Sequence, residues 1–83
     1  MVEIKFEINK NRSIAVDENK VVGECEYLVE NGVWNIIHTG VLHEYQGQGI
    51  AKKLVFEVIK EAKNNDKKLI ATCSYAKKVL SNI

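Results

Sequence analysis

The chain has 83 residues, a formal net charge of +1 at pH 7, 46% hydrophobic residues and 28% charged residues. This length and composition are typical of one small globular domain, which we place at residues 1–83. The nearly balanced charge argues against a general nucleic-acid-binding protein, because such proteins carry a strongly basic face. No apolar run approaches the roughly 20 residues that a membrane-spanning helix needs.

Two sequence features indicate the cytoplasm. Residues 1–6 alternate apolar and charged side chains, which is not typical of a signal peptide. Cys25 and Cys73 lie in unlike contexts and do not resemble a disulfide framework. Cys25, between two glutamates of a predicted strand, is expected to be a small buried hydrophobic residue.

The first half of the sequence predicts four strands. They lie at residues 2–8, 13–16, 21–30 and 33 to about 43. The first alternates apolar and polar residues up to Ile8, as expected of a strand with one buried face. Asn31-Gly32 favours a two-residue hairpin turn with positive φ. The fourth strand is apolar on both faces, which predicts a covered, central position, and Gly40 within it indicates a bulge or a close backbone approach.

The second half of the sequence predicts a helix, a strand and a short helix. An amphipathic pattern predicts the first helix from about residue 48 to residues 64–65, where Asn65 could adopt the left-handed C-terminal conformation. A strand at 69–72 and a helix at 75–82, capped by Ser74, follow. Because a helix separates them, the fourth and fifth strands should pair in parallel through a right-handed crossover. The fold class is therefore α+β.

The start of the first helix has unusual chemistry. No Ser, Thr, Asp or Asn stands at its N-cap, so its first N–H groups lack their usual acceptor. Lys52 and Lys53 occupy the first turn, where the helix dipole disfavours cations. Gly47 and Gly49 leave the backbone accessible to close approach. An anion such as a phosphate or pyrophosphate would resolve all three features.

The alternative for this segment is a glycine-containing turn before an ordinary surface helix, with its N–H groups capped by water. The absent cap, the two lysines and the preceding strand favour the anion site. The segment is not a Walker-type phosphate loop, because Ile50-Ala51 follows Gly49 where Lys-Ser/Thr is required. A dinucleotide fingerprint needs a small residue where Lys52 stands.

The pattern Gln46-x-x-Gly49-x-Ala51 resembles the pyrophosphate loop of GNAT-type N-acetyltransferases, which reads Gln/Arg-x-x-Gly-x-Gly/Ala between a strand and a helix. Two flanking segments resemble the abbreviated branch of that superfamily: His38-Thr39-x-Val41 upstream and Cys73-Ser74-Tyr75 downstream. The resemblance covers roughly residues 38–75. It implies a mostly antiparallel sheet with one parallel strand pair at a central splay, a crossover helix after the fourth strand, and a short C-terminal helix.

The resemblance also implies an acetyl-CoA site. Backbone N–H groups of residues 47–51, with Lys52 or Lys53 nearby, would hold the pyrophosphate. Backbone groups near residues 41–43 would bind the pantetheine amides as an added strand does. The predicted CoA-binding residues are Val41, Leu42, His43, Gln46, Gly47, Gln48, Gly49, Ile50, Ala51, Lys52 and Ser74.

Three residues could carry out catalysis. Cys73 precedes a helix N-terminus, where the dipole can lower a thiol pKa; the resemblance places it beside the thioester, either as an acyl-accepting nucleophile or as a packing residue. His38 could take a proton from Cys73 or from an incoming amine, or be an ordinary core histidine. Tyr75 could protonate the departing CoA thiolate, as tyrosines often do in this superfamily, or pack at the sheet edge.

We therefore expect transfer of an acetyl group from CoA to an amine, directly or through acyl-Cys73. The acceptor would be a small molecule or a protein lysine or N-terminus. The alternative is a module that binds CoA or acyl-CoA without turnover, because elements that shape the acceptor site in larger members have no counterpart here. No residue cluster has metal-ligand spacing, so no metal is expected. Phe56, opposite the apolar stripe, is an exposed aromatic or a homodimer contact.

Overall fold

Five strands and two α-helices make up the chain, and the computed structural model describes all of residues 1–83. The strands are β1 (Val2–Glu7), β2 (Arg12–Asp17), β3 (Lys20–Glu30), β4 (Val33–Val41) and β5 (Lys68–Ala71). The helices are α1 (Ile50–Asn64) and α2 (Ser74–Ser81), and short 3₁₀ turns occur at Ile8–Lys10 and His43–Tyr45. Neither α-helix has the length and apolar character needed to cross a membrane.

The strands form one sheet in the order β1-β2-β3-β4-β5. Neighbouring strands are antiparallel except for β4 and β5, which are parallel. Antiparallel neighbours can be joined by short turns, whereas a parallel pair needs a longer crossover, which α1 supplies. The predicted α+β fold with one parallel strand pair is confirmed.

The hydrophobic core lies between α1 and one face of the sheet. The helix buries the apolar stripe that its periodicity predicts: Ile50, Leu54, Val55, Val58 and Ala62. The sheet presents Tyr27, Trp34 and Ile36 to it, and the rings of Tyr27 and Trp34 stack with centroids 4.2 Å apart. One buried polar contact joins the two layers, because Ser13 Oγ donates a 2.8 Å hydrogen bond to the Leu54 carbonyl.

The opposite face of β4 has no helical cover. Both helices contribute their buried residues to the same core. On the opposite face of the sheet, Ile37 and Leu42 are each 39% exposed. β4 does lie inside the sheet, between β3 and β5. The prediction that it is covered on both faces is nevertheless wrong.

A β-bulge at Ile37 interrupts the pairing of β3 with β4. Glu26 pairs with His38, whereas the next residue of β3, Tyr27, pairs with Ile36. Ile37 is therefore the extra residue, without a partner on β3. Such a bulge reverses the side of the sheet to which the following residues point.

The bulge decides which side chains of β4 reach the helices. Before it, Ile36 faces the core; after it, Thr39 does so, while His38 turns to the open face. Of the two alternatives predicted for Gly40, the bulge lies at Ile37 instead, whereas the close approach does occur at Gly40. Gly40 is where the His38 ring approaches, because a Cβ added there would lie 3.0 Å from His38 Nε2.

Several element ends can be compared with the predictions. Asn31 and Gly32 have φ of 52° and 77°, which confirms the two-residue hairpin turn. At the end of α1 the left-handed residue is Asp66, with φ of 54°, and not Asn65, so the prediction for Asn65 is wrong. Asp66 donates its N–H to a carbonyl of the last turn, which closes the helix.

Three further boundaries differ from the predictions. Ile8 lies in a 3₁₀ turn and is 49% exposed instead of continuing the buried face of β1. β4 ends at Val41, because the chain turns at His43–Tyr45. Cys73, and not Ser74, is the N-cap of α2. The last difference places the thiol at the start of the helix.

Candidate functional site

The two parallel strands pair over only part of their length. Backbone pairing joins residues 33–36 to residues 68–71. The carbonyl of Ile36 then accepts the N–H groups of both Thr72 and Cys73, at 3.0 and 3.1 Å, and the pairing ends there. Beyond this point β4 continues without β5 beside it. The strands therefore splay.

A cleft of about 470 Å³ opens at the splay, between the end of β4 and the starts of the two helices. A cavity of this size can hold an extended small-molecule chain. Its wall consists of Thr39, Gly40, Val41, Tyr45, Gln46, Gly47, Gly49, Ile50, Ala51 and Tyr75.

The N-terminus of α1 lies at this cleft with backbone donors unused. Gly47 and Gly49 have φ of 81° and 77°, a region that strains residues with a side chain. No side chain caps α1, and its first turn contains no acidic residue. The first bond of the helix runs from the Lys53 N–H to the Gly49 carbonyl, so the preceding N–H groups have no helical partner. The arrangement suits an anion.

Two side chains fasten the loop that leads into α1. Gln46 Nε2 donates to the Val41 carbonyl at 3.2 Å, and the Tyr45 hydroxyl donates to the Asp17 carboxylate at 2.7 Å. The bond from Tyr45, followed by one from the N-terminal amino group, lowers the pKa of Asp17. The same bond with Asp17 raises the pKa of Tyr45. The loop is thereby tied both to β4 and to the end of β2.

Cys73 lies where the splay meets α2. It is partly buried, and its Sγ donates to Thr39 Oγ1 at 3.6 Å. Burial alone raises the pKa of the Cys73 thiol. The N–H of Ala76, the Thr39 hydroxyl and the N–H of Tyr75 favour the thiolate more strongly, and together they lower the pKa. The side chain makes no capping hydrogen bond, so these N–H groups act as nearby dipoles. Such a cysteine has the properties of a nucleophile.

Thr39 also contacts the second cysteine. Its hydroxyl donates to Cys25 Sγ at 3.6 Å. Cys25 is fully buried, as predicted, and burial raises the pKa of its thiol to about 11. The two cysteines, distant in sequence, therefore flank Thr39, and their thiol pKa values are shifted in opposite directions, down at Cys73 and up at Cys25.

The structure does not bring His38 to Cys73. His38 is exposed on the open face of the sheet, where its ring nitrogens and the carboxylates of Glu24 and Glu26 lie within 4.8 Å of one another. Glu24 is already bound by Arg12 at 3.0 Å. Direct proton transfer from Cys73 to His38 is excluded by this orientation, whereas a role toward an incoming amine stays a prediction.

The cleft contains part of the predicted CoA-binding set. Val41, Gln46, Gly47, Gly49, Ile50 and Ala51 line it, as does Tyr75 from α2. Leu42 lines a second, separate groove together with His38. Its N–H already donates to the Val22 carbonyl at 2.8 Å. Four residues are exposed and do not form its wall: His43, Gln48, Lys52 and Ser74.

Three residues of the wall were missed from the sequence: Thr39, Gly40 and Tyr45. Thr39 and Gly40 lie within or beside the upstream motif, but only the bulge at Ile37 shows that Thr39 faces the cleft. Tyr45 directly precedes Gln46, the first residue of the pyrophosphate-loop pattern. Its aromatic side chain next to that pattern was the signal in the sequence that could have identified it.

These features define a class: the GNAT-like α+β domains, in which a splayed parallel strand pair opens beside an uncapped helix start. The family model described as GCN5-related N-acetyl-transferase matches residues 5–82, and the chain belongs to this family.

Comparison with solved structures gives the same fold. A GCN5-like protein from Staphylococcus aureus is 43% identical with a TM-score of 0.72, and the match covers 96% of this chain and 78% of that one. A GCN5-related N-acetyltransferase from Sphaerobacter thermophilus is 25% identical with a TM-score of 0.70, over 75% of this chain but only 21% of that one.

A more distant likeness concerns the fold alone. An aminoglycoside N-acetyltransferase solved in complex with CoA is 20% identical with a TM-score of 0.60, and the match covers 72% of this chain and 46% of that one. No curated protein sequence matches the chain. The chain thus spans less than half of two of these three proteins and most of the third.

Proposed function

We propose that this chain transfers an acetyl group from acetyl-CoA to an amine. The observation that carries the proposal is the cleft at the strand splay, which joins the uncapped N-terminus of α1 to Thr39, the hydrogen-bond partner of the Cys73 thiol. Membership of the N-acetyltransferase family supports acetyl transfer in general. The CoA complex of a protein with the same fold supports CoA as the acetyl carrier.

The pyrophosphate of CoA would bind at the start of α1. The free N–H groups of the first turn lie at the positive end of the helix dipole, and Gly47 and Gly49 allow the pyrophosphate to approach the backbone closely. Lys52 is exposed and makes no ion pair, but its ammonium lies over the Phe56 ring, 5.8 Å from the centroid, and would have to leave that ring to reach a phosphate. A negative side chain at Gly49 would oppose the same anion.

The pantetheine arm would lie along the edge of β4 that β5 vacates. Beyond Ile36 the outer backbone groups of β4 have no strand beside them. An extended ligand can use such groups as an added strand does. Because the N–H of Leu42 is bonded to Val22, residues 39–41 replace residues 41–43 as the segment that we assign to the pantetheine amides. The Val41 carbonyl is excluded from this set, because it already accepts the side-chain amide of Gln46.

In the covalent route, the Cys73 thiolate attacks the thioester carbonyl of acetyl-CoA. A new C–S bond to Cys73 forms, the C–S bond to CoA breaks, and the CoA thiolate takes a proton from Tyr75 or from water. An amine then attacks the acetyl-cysteine and loses one proton, and the Cys73 thiolate leaves with its electron pair. On this route the proton of the amine goes to water, because His38 lies with Glu24 and Glu26 on the open face of the sheet, away from Cys73.

The test is intact-mass analysis after incubation with acetyl-CoA, followed by thiol release on a panel of small amines and lysine peptides. We expect one added acetyl group, mapped to Cys73, and its loss when an acceptor is supplied. Peptide mapping of the same sample supplies the internal control, because Cys25 is fully buried and should not be acetylated.

Each result selects one route. Cys73→Ala with unchanged turnover would eliminate the covalent route and leave direct attack of the amine on acetyl-CoA. Tight binding of acetyl-CoA with no acetylated protein and no CoA release on any amine would instead favour a CoA-binding module. No binding at all would contradict the proposal.

A further inference from the structure

We propose that Thr39 is the positioning residue of Cys73: its hydroxyl orients the sulfur and stabilises the thiolate, and the buried Cys25 thiol fixes the direction of that hydroxyl. The inference rests on the proposed nucleophilic role of Cys73. It concerns thiol acidity, however, which can be measured without acetyl-CoA or an acceptor.

The side chains of Cys25, Thr39 and Cys73 come together from β3, β4 and the start of α2. Register places Cys25 of β3 opposite Thr39 of β4. Cys73 is brought to the same place because its N–H donates to the Ile36 carbonyl at 3.1 Å. Thr39 Oγ1 then lies 3.6 Å from each sulfur, within reach of a hydrogen bond to sulfur. Without the bulge at Ile37, His38 would take the position of Thr39 on this face.

The hydrogen-bond chain has a defined direction for each charge state. With neutral thiols, Cys73 donates to Thr39 and Thr39 donates to Cys25. When Cys73 loses its proton it can only accept, so the Thr39 hydroxyl must turn toward it. Cys25 can then donate its S–H to Thr39 Oγ1. Because Cys25 is fully buried it stays protonated, and it can supply that donor.

Few other groups can account for the acidity of Cys73. The titratable side chain that faces it from β3 is Cys25, and β4 contributes none, since His38 points to the open face. α2 contributes Tyr75 at the cleft wall, and the buried face of α1 is apolar. The backbone dipoles of α2 act on Cys73 independently of Thr39. The hydroxyl is therefore the one side-chain donor that a single substitution can remove.

The experiment is the pH dependence of alkylation of Cys73 by iodoacetamide, followed by mass spectrometry to separate Cys73 from Cys25. Thr39→Val removes the hydroxyl and keeps the branched shape, whereas Thr39→Ser keeps the hydroxyl. We expect Thr39→Val to raise the midpoint by about one pH unit, and to slow alkylation about tenfold below the midpoint. Thr39→Ser should keep the wild-type midpoint within a few tenths of a unit.

Circular dichroism first establishes that each variant is folded, and Thr39→Ala, which also lacks the hydroxyl, must give the same shift should the valine variant not fold. A wild-type midpoint in the folded hydroxyl-free variants would overturn the proposal. An equal shift in Thr39→Ser would also overturn it, because packing and not the hydroxyl would then be the cause. If the midpoint shifts as expected but acetyl-CoA never acetylates Cys73, the role of Thr39 stands and the covalent route fails.

Discussion

The two halves of β4 differ in what they contribute to the molecule. Residues 33–36 pair with β5, and Trp34 and Ile36 are buried beneath α1. Residues 37–41 have no β5 beside them, and their core-facing side lines the cleft. The bulge at Ile37 separates the two halves. The packed core and the cleft are thus segregated along one strand, so we expect that each can be altered with little effect on the other.

The largest effect is expected from truncating a side chain in residues 33–36, the half of β4 that pairs with β5. Ile36 is fully buried in the core, so Ile36→Ala should lower the free energy of unfolding by about 2–5 kcal/mol, since it creates a cavity. The neighbouring Ile37, 39% exposed at the bulge, is the matched control, and Ile37→Ala should cost only about 0.5 kcal/mol. Urea unfolding measures both. Similar losses would show that the halves do not differ.

The next effect tests the cleft, where Gly49 begins α1, at constant backbone strain. Gly49 and Gly32 both have φ of 77°, with nothing within 4 Å of an added Cβ. A glutamate at either position should therefore lower the free energy of unfolding by a similar amount, roughly 1–2 kcal/mol. Only Gly49→Glu should weaken acetyl-CoA binding, by about a hundredfold, because its carboxylate opposes the anion at the helix start.

Isothermal titration calorimetry measures that affinity. As a second readout, acetyl-CoA at a hundred times its dissociation constant should stabilise the wild type and Gly32→Glu by about 2.7 kcal/mol. Equal affinity of the two variants for acetyl-CoA would show that the start of α1 does not bind the pyrophosphate.

A smaller effect compares two buried hydroxyls of the sheet. Ser13 Oγ has a partner in the Leu54 carbonyl, whereas the buried Tyr27 hydroxyl has no hydrogen-bond partner. Ser13→Ala should destabilise by about 1 kcal/mol, and Tyr27→Phe should be neutral or stabilising, because it removes a polar group that burial penalises. Thermal unfolding of the two variants measures the difference. A large loss in Tyr27→Phe would mean that this hydroxyl is bonded in solution.

The smallest effect concerns the anchor of the cleft loop. The hydrogen bond from Tyr45 is the first cause of the lowered pKa of Asp17, whose ordinary value is 3.8. Because the folded-state pKa is depressed, the stabilisation is present above pH 3.8 and is lost as the pH falls through the lower folded value. In Tyr45→Phe the pKa should move up toward 3.8, so the loss begins at a higher pH.

An NMR titration of the Asp17 carboxyl group follows that change directly. An unchanged Asp17 titration in Tyr45→Phe would mean that Tyr45 does not hold the loop.

The amino-acid sequence by itself determined the order of the elements, the parallel strand pair and the cleft loop. These depend on local chemistry: alternation in β1, positive φ at Asn31-Gly32, and an uncapped helix start after Gly49. Turn and capping preferences act over a few residues, and a crossover helix forces parallel pairing. Local chemistry predicted the anion site at the glycines of the cleft wall, and the resemblance to the GNAT loop implied the other predicted residues of that wall.

Only the tertiary structure decided which β4 side chain meets Cys73. One extra residue, Ile37, reverses the strand's alternation, so Thr39 faces the thiol and the predicted His38 faces away. No local signal in the sequence marks that bulge, which shows only in the pairing of β4 with β3. The pairing of Cys25 with Cys73 around Thr39 has the same origin. Register between strands is set by packing across the sheet, and a shift of one residue moves a side chain to the opposite face.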